Sequence, residues 1–460
     1  MPPVVLKFGG TSVADAAAIR QVVRIVERAR DSYGAVVVVV SAMSRVTDGL
    51  LAACRAAGDG DVHVVEELVA SIESRHRSVV DELFGGNPAA LTDVWEEVIC
   101  HLHDLRSVLT SVSILRELTA RGADRVAAAG ELMSSRIIAA AMRHEGIPAR
   151  WVDPRRSVVT DNRSPALPLS EPTQTAAMAE ITPLLAAGEV PVTGGFVGAT
   201  NEGITTTLGR GGSDFSAAVL GAALGAREIQ IWTDVDGMLT ADPRVVDDAH
   251  VVPELSFDEA SELAYFGAKV LHPSTILPAV ERSIPVRILN TRRPDLAGSV
   301  ILPRVPSHGR KLTAIACKRH VTVVDVTSTR MLLAHGFLRR VFEVFERHET
   351  SVDVVTTSEV SVSVTVDDDR RIDAIARDLE ACGTVRIETG MAIVCAVGDQ
   401  LRTNPLTAGQ VLGTLESFPL RMVSQAASRR NVTVVLSDAD VPAAMARLHD
   451  AFFSRAEAAR

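Results

Sequence analysis

The chain has 460 residues, 47% of them hydrophobic and 23% charged, with a formal net charge of −10; that is length for two or three domains at about 150 residues each and the composition of a soluble globular protein. An acidic balance without a long Lys/Arg block excludes a nucleic-acid or anionic-membrane surface. No apolar run approaches the ~20 residues of a membrane span, and the N-terminus leads straight into a strand instead of a signal peptide, so a cytoplasmic protein is expected.

In chain order, VVLKFGGTS at 4–12 reads as a buried strand, a Gly9-Gly10 turn and a helix with apolar Val13, Ala16, Ile19, Val23 and Val26. Residues 35–40 are a wholly apolar run of the kind buried on both faces of a sheet. Residues 61–120 carry no strand-like run and are read as a helical insertion. A helix follows over 127–143, with Glu131 near its start. Residues 151–172 hold Pro154, Pro165, Pro168 and Pro172 among polar residues, which marks a loop with the character of a lid. A helix over 173–187 and a strand over 190–193 precede Gly194-Gly195-Phe196.

The stretch TTTLGRGGSD at 205–214 passes from a β-prone run through Gly211 and Gly212 into an apolar helix, with Ser213 as the expected N-cap. A glycine turn at a helix N-terminus suits phosphate or carboxylate; alone it could equally be a turn with solvated charges. A strand over 228–233 ends at Asp234. Ser256 to Glu259 form a capping box, and a last strand covers 285–289. Strands alternating with helices imply a parallel sheet covered on both faces, with ligands beyond its carboxyl ends, where Lys7, Ser41, Gly194, Arg210 and Asp234 fall. The fold class is therefore α/β. The catalytic part is placed at residues 1–303 and a different, C-terminal part at 304–460. There a βαββαβ unit spans about 319–390, and a second, over about 391–455, stops one strand short and is completed by the spare strand 311–317. The five cysteines form no C-x-x-C pair and are read as free thiols.

The motifs KFGGTS, SAMSRVTD, GELMSS, GGFVGA, TTTLGRGGSD, WTDVDGMLTADPR and FGAKVLHP stand in register along the chain. With them the sequence resembles the aspartate kinases, of the monofunctional, lysine-sensitive type, with an amino-acid kinase fold followed by two ACT repeats; no homoserine dehydrogenase segment follows. The resemblance implies transfer of the γ-phosphoryl of ATP to the side-chain carboxylate of aspartate. That acceptor is already ionised at pH 7, so positioning and cations, not a general base, carry the chemistry.

By resemblance Lys7 contacts the transferring phosphoryl, Asp214 orients the lysines, and Lys269 reaches the ATP phosphates. Gly9, Gly10, Gly211 and Gly212 donate backbone N–H groups. Arg210 takes the aspartate carboxylate and Glu131 its α-ammonium, with Ser41, Thr47 and Phe196 lining the pocket. Thr233, Asp234, Leu239 and Arg244 fall on the nucleoside and phosphate side. Mg²⁺ is implied as a counter-ion carried by the nucleotide, and no all-protein metal cage is read. In the first ACT repeat, Met331, Ala334, Gly336, Phe337, Val352, Asp353 and Ser358 would hold an amino-acid effector, lysine before threonine, and pairing of repeats across chains implies a homodimer or larger. Arg45 stands where many relatives have glycine, Leu239 where some have an aromatic residue, and Ala334 where some have a polar one.

Two rivals differ in class. A kinase of glutamate, acetylglutamate, carbamate or uridylate is disfavoured by GELMSS, TTTLGRGGSD and the ACT pair. A catalytically dead amino-acid sensor would have no use for Lys7, Arg210, Asp214 and Lys269.

Overall fold

The structure, a computed structural model, describes residues 1–267, 271–305, 310–328, 335–399, 401–425 and 428–453. It divides into two compact units, Met1–Gly237 with Leu271–Arg304, and Met238–Val270 with Val305–Arg460. The chain thus crosses between units three times, which a single boundary at 303 does not express. Residues 238–250 group with the C-terminal part because Ala241 and Val246 share a core with Leu312 and Ile315, and Ile315 N–H donates to Thr240 O.

The first unit opens with β1 (Val4–Phe8), α1 (Ala16–Tyr33), β2 (Val36–Val40), α2 (Val46–Asp59), α3 (Val62–Phe84), α4 (Pro88–Leu115) and α5 (Ala120–His144). It continues through β3 (Ala149–Val152), α6 (Pro154–Ser157), α7 (Ser170–Ala186), β4 (Val190–Gly194), β5 (Val197–Ala199), β6 (Thr205–Thr207), α8 (Gly212–Leu224) and β7 (Glu228–Thr233). β8 (Glu254–Ser256) and α9 (Phe257–Tyr265) belong to the second unit, and α10 (Leu277–Glu281), β9 (Val286–Asn290) and β10 (Ser299–Leu302) complete the first.

Its strands run in the order β3-β4-β2-β1-β7-β9-β10. β1 and β2 are buried at every position and pair in parallel, Val4 with Val36, while the other edge of β1 pairs in parallel with β7. The chain winds outward on both sides of β1, so a crevice opens at its carboxyl end. β10 is antiparallel to β9 and was not foreseen.

α3 and α4 form the helical insertion. α4 is long and apolar enough to cross a membrane by length and composition, which the sequence reading overlooked. Asp104 and Arg106 fall within that helix, and Val98, Leu102, Leu105 and Leu109 are buried in the core, while Ile114 and Leu115 near its end are exposed. α5 starts at Ala120, capped by Thr119; Glu131 therefore lies in mid-helix, not near its start. The proline-rich stretch is no free loop. Val159 bridges Ala199, Thr160 bridges Pro168, Thr160 bonds to Thr206, and Ala166 N–H donates to Thr207 O. These bonds dock it onto the β5–β6 hairpin, a separate two-stranded antiparallel sheet, so Arg210 follows a hairpin strand and not a strand of the main sheet.

The second unit contains β11 (Ala314–Thr327), α11 (Phe337–Arg347), β12 (Val355–Thr357), β13 (Ser361–Val366), α12 (Ile372–Leu379), β14 (Thr384–Val397), α13 (Pro405–Thr414), β15 (Met422–Gln425), β16 (Asn431–Ser437) and α14 (Val441–Phe453). Ser256 and Glu259 make the expected capping box at α9. The sheet order is β12-β13-β11-β14-β16-β15. The spare strand, expected at 311–317, begins at Ala314 and is fused with the first strand of the first βαββαβ unit into one bulged strand, β11, while the last strand of that unit and the first strand of the second are fused through Gly390 into β14. Ala314 to Lys318 pair with the second half of β14, and Thr322 to Thr327 pair with β13.

Candidate active site

At the carboxyl end of β1 and β2 a cavity of about 650 Å³ is lined by Lys7, Gly10, Ser41, Arg45, Thr47, Glu131, Phe196, Arg210, Gly211, Gly212 and Asp214, among others. Side chains as far apart in sequence as Lys7 and Asp214 converge there. Lys7 is 8% exposed, and its Nζ lies 2.5 Å from Asp214 Oδ1. That oxygen has no aligned hydrogen-bond donor, so the contact is a charge pair and not a directed bond. Asp214 sits in the first turn of α8, where the helix dipole favours a carboxylate.

Glu131 is 3% exposed. It is wedged by close backbone approach: a Cβ on Gly194 would lie 3.1 Å from Glu131 Cβ, and one on Gly130 only 2.8 Å from Ala42 Cβ. Burial pushes its carboxyl up to about 8, against the weaker lowering pull of the Ala42 N–H and of Lys7, and Oε2 has no partner. A buried, unsatisfied acceptor in a cavity wall is the complement of an ammonium. Arg210 is exposed on the cavity, and no ion pair holds it among the described residues. Arg45 is exposed too and adopts φ 67°, a left-handed conformation that favours glycine.

The glycine turn is built by exclusion. Gly211 has φ +69°, and a Cβ on Gly212 would lie 2.5 Å from the Phe196 ring. Gly211, not Ser213, is the N-cap of α8, because Ser213 packs beneath Gly195. The four glycine N–H groups are not equivalent, which corrects the sequence reading. Gly9 N–H donates to Trp232 O and Gly212 N–H to Gly209 O. Those of Gly10 and Gly211 have no acceptor among the described residues, nor do those of Ser213 and Asp214, which no motif had singled out.

Sequence reasoning also missed Asp124, 6% exposed on α5. It accepts a 2.6 Å hydrogen bond from Thr207 Oγ1, tying α5 to the hairpin that leads into Arg210. Burial raises its pKa. An isolated aspartate two turns ahead of GELMSS carries no signal of this.

Thr233 and Asp234 do not line the larger cavity. They border a second one of about 370 Å³, together with Ser12, Asp15, Arg24, Thr291 and Arg292. Leu239 and Arg244 belong to the second unit, where Arg244 pairs with Asp242 at 2.7 Å and is 83% exposed. Lys269 lies outside the described residues, as do Met331 and Ala334. Of the other effector-side positions, Gly336 caps α11 with φ 76°, Phe337 and Val352 pack in one core cluster, and Ser358 bonds to Ser361 at 2.7 Å. The Asp353 side chain is 3% exposed, with Oδ2 unpartnered.

A crevice at the end of a parallel sheet, a lysine beside a glycine turn and a helix N-terminus aimed at the same space define a phosphotransferase of amino-acid kinase type. Residues 2–290 match the amino acid kinase family, and residues 394–452 match an ACT domain. The chain is 38% identical to aspartokinase 3 (chloroplastic) of Arabidopsis thaliana over 98% of this chain and 81% of that one. It is 36% identical to lysine-sensitive aspartokinase 3 of Escherichia coli K12, over 98% and 99% respectively. Among solved structures, E. coli aspartokinase III with aspartate and ADP superposes with a TM-score of 0.82 at 34% identity, covering 98% of this chain and 100% of that one. The same enzyme with lysine and aspartate gives 0.84 at 35%, covering 98% and 99%. The chain belongs to the aspartokinases, ATP-dependent kinases that make 4-phospho-L-aspartate and ADP in the first step towards lysine, threonine and methionine.

Proposed function

We propose that the cavity holding Lys7, Glu131, Arg210 and Asp214 is where ATP and L-aspartate meet, and the convergence of those four side chains carries the reading. Aspartate brings one ammonium and two carboxylates. Glu131 receives the ammonium, Arg210 the carboxylate that does not react, and Ser41, Thr47 and Phe196 the remaining surface. Lys7 faces the transferring phosphoryl, and Asp214 holds Lys7 in place. The open N–H groups of Gly10 and Gly211 donate to phosphate oxygens, where negative charge builds as the phosphoryl moves. Thr233, Asp234, Leu239, Arg244 and Lys269 are assigned to the nucleotide. Mg²⁺ travels on the nucleotide phosphates, an ion that is usually held by phosphate oxygens and water with one or two carboxylates.

Gly336, Phe337, Val352, Asp353 and Ser358, with Met331 and Ala334, form the effector pocket. The unpartnered Asp353 oxygen favours an amino acid, lysine first and threonine second. A cytoplasmic homodimer or larger assembly is the expected form. Arg210→Ala, assayed with ATP, Mg²⁺, aspartate and hydroxylamine to trap the acyl phosphate, should raise KM for aspartate roughly ten- to hundred-fold, the worth of a charged hydrogen-bonded contact. KM for ATP should barely move. Equal loss of both affinities would overturn the division of roles.

A further inference from the structure

The effector-side carboxylate is already taken by a residue of the chain itself. Lys318, on β11 where its pairing with β14 is bulged, places Nζ 2.9 Å from Asp353 Oδ1 and 2.9 Å from Asp367 Oδ2. Tyr265, at the end of α9, donates its O–H to the same Asp353 oxygen at 3.0 Å, and its ring lies 5.1 Å from the Lys318 ammonium. Burial works against the charge on Lys318, but its hydrogen bonds to Asp367 and Asp353 outweigh it and raise the pKa. The Tyr265 phenol, pushed up to about 12 by burial and by Asp353, stays a donor. The two partners of Lys318 differ: the Asp353 side chain is 3% exposed and the Asp367 side chain 45%.

Asp353 therefore has one oxygen filled and one buried and empty. An incoming ammonium at Oδ2 would put two positive charges on a single carboxylate, in surroundings that screen them poorly. One way to relieve that repulsion is within reach, because Lys318 already touches a second, solvated carboxylate.

Resting on the reading of Asp353 as the effector's anchor, we propose that Lys318 is a built-in competitor for the effector. It neutralises Asp353 when no effector is bound and withdraws to Asp367 when an effector ammonium arrives, and so it sets the effector concentration the protein answers to. Ligand affinity falls by the fraction of molecules whose site is ready to receive it, and here that fraction is governed by the Lys318 contact.

The test uses the full chain, with L-lysine and L-threonine titrated against kinase rate and thermal midpoint. Lys318→Met should lower the half-effective concentration about ten-fold. Asp367→Asn, which removes the place of retreat, should raise it. Lys318→Arg keeps the cation and should stay near the parent protein. If the parent responds while Lys318→Met responds at the same or higher concentration, the competitor role falls and the effector pocket stands. A response in Lys318→Met where the parent gives none supports the proposal in its strongest form. If none of the proteins responds to either amino acid, both readings fall. Should Lys318→Met fail to fold, the contrast between Asp367→Asn and Lys318→Arg still decides, since an unchanged half-effective concentration in Asp367→Asn overturns the withdrawal.

Discussion

Glu131 and Asp353 are both carboxylates withdrawn from solvent, each with one oxygen that finds no hydrogen-bond donor, yet their surroundings are opposite. Beside Glu131 the nearby cation, Lys7, is committed to Asp214, and burial keeps the carboxyl protonated up to about 8. Asp353 has its ammonium, from Lys318, and a phenol besides. On the proposed roles, the first would acquire its charge when the aspartate ammonium arrives, and the second would exchange one partner for another. A site of the first kind answers to pH, and one of the second kind to competition.

The strongest way to sharpen the contrast is to remove the pair that leaves Glu131 alone. Lys7→Ala and Asp214→Ala should each lower kcat by about 10²-fold or more, since on the proposed roles Lys7 faces charge that develops in the transition state and Asp214 holds it there. Circular dichroism should show the fold retained, and near-normal turnover in either variant would end its catalytic assignment.

Next comes Glu131→Gln. Losing a buried ionic partner costs about 2 kcal/mol or more, so KM for aspartate should rise at least thirty-fold or so. In the parent protein, binding below pH 8 must expel a proton from Glu131, so KM should fall as pH rises and level off near 8; the variant should lose that slope. Stability gives an independent reading. The folded carboxyl titrates above the ordinary glutamate value of 4.5, so the stability gained from the neutral carboxyl is full below about 4.5 and lost as pH rises through about 8. The thermal midpoint of the parent should drop across that window relative to Glu131→Gln. A flat difference between the two would mean that Glu131 is ionised in the free protein.

On the other side of the comparison, Asp353→Ala should relieve inhibition. Coupling between sites of this kind is typically about 5- to 150-fold, read as the ratio of rates with and without effector; an undiminished ratio would take Asp353 out of the pocket. The smallest effect belongs to Arg45→Gly. A left-handed residue costs roughly 1 to 2 kcal/mol, part of which glycine returns through the freedom of its unfolded chain. The midpoint should rise by a degree or a few, with KM for aspartate unchanged if the guanidinium faces water. A raised KM would instead place Arg45 among the substrate's cations.

The parallel sheet was legible because β1 and β2 are too apolar to be anything but central strands, and the larger cavity because its residues come in short runs at strand and helix ends. What stayed hidden depends on contacts across distance. Glycine spacing marks the Gly9 and Gly212 turns, but only the fold shows that their N–H groups are already bonded to Trp232 and Gly209. The polar triplet Lys318-Arg319-His320 reads as a break between strands; in the structure His320 takes φ 60° and the strand bulges and continues. Nothing in the pattern of Asp124 or Lys318 announces a partner 83 or 35 positions away.

The fused strands carry a further consequence. β11 and β14, fourteen residues each, run side by side down the middle of the six-stranded sheet, and each supplies a strand to both of its halves. The halves have no linker between them along which they could be parted, and a chain cut near Gly390 would separate the second half from the strand that residues 314–318 supply to it. Such a sheet opens as one cooperative block, so its amide protons should exchange in concert across both halves. The contacts of Lys318, at the bulge where β11 passes from one half to the other, are thus made at the point where a bend in one half is felt by its neighbour.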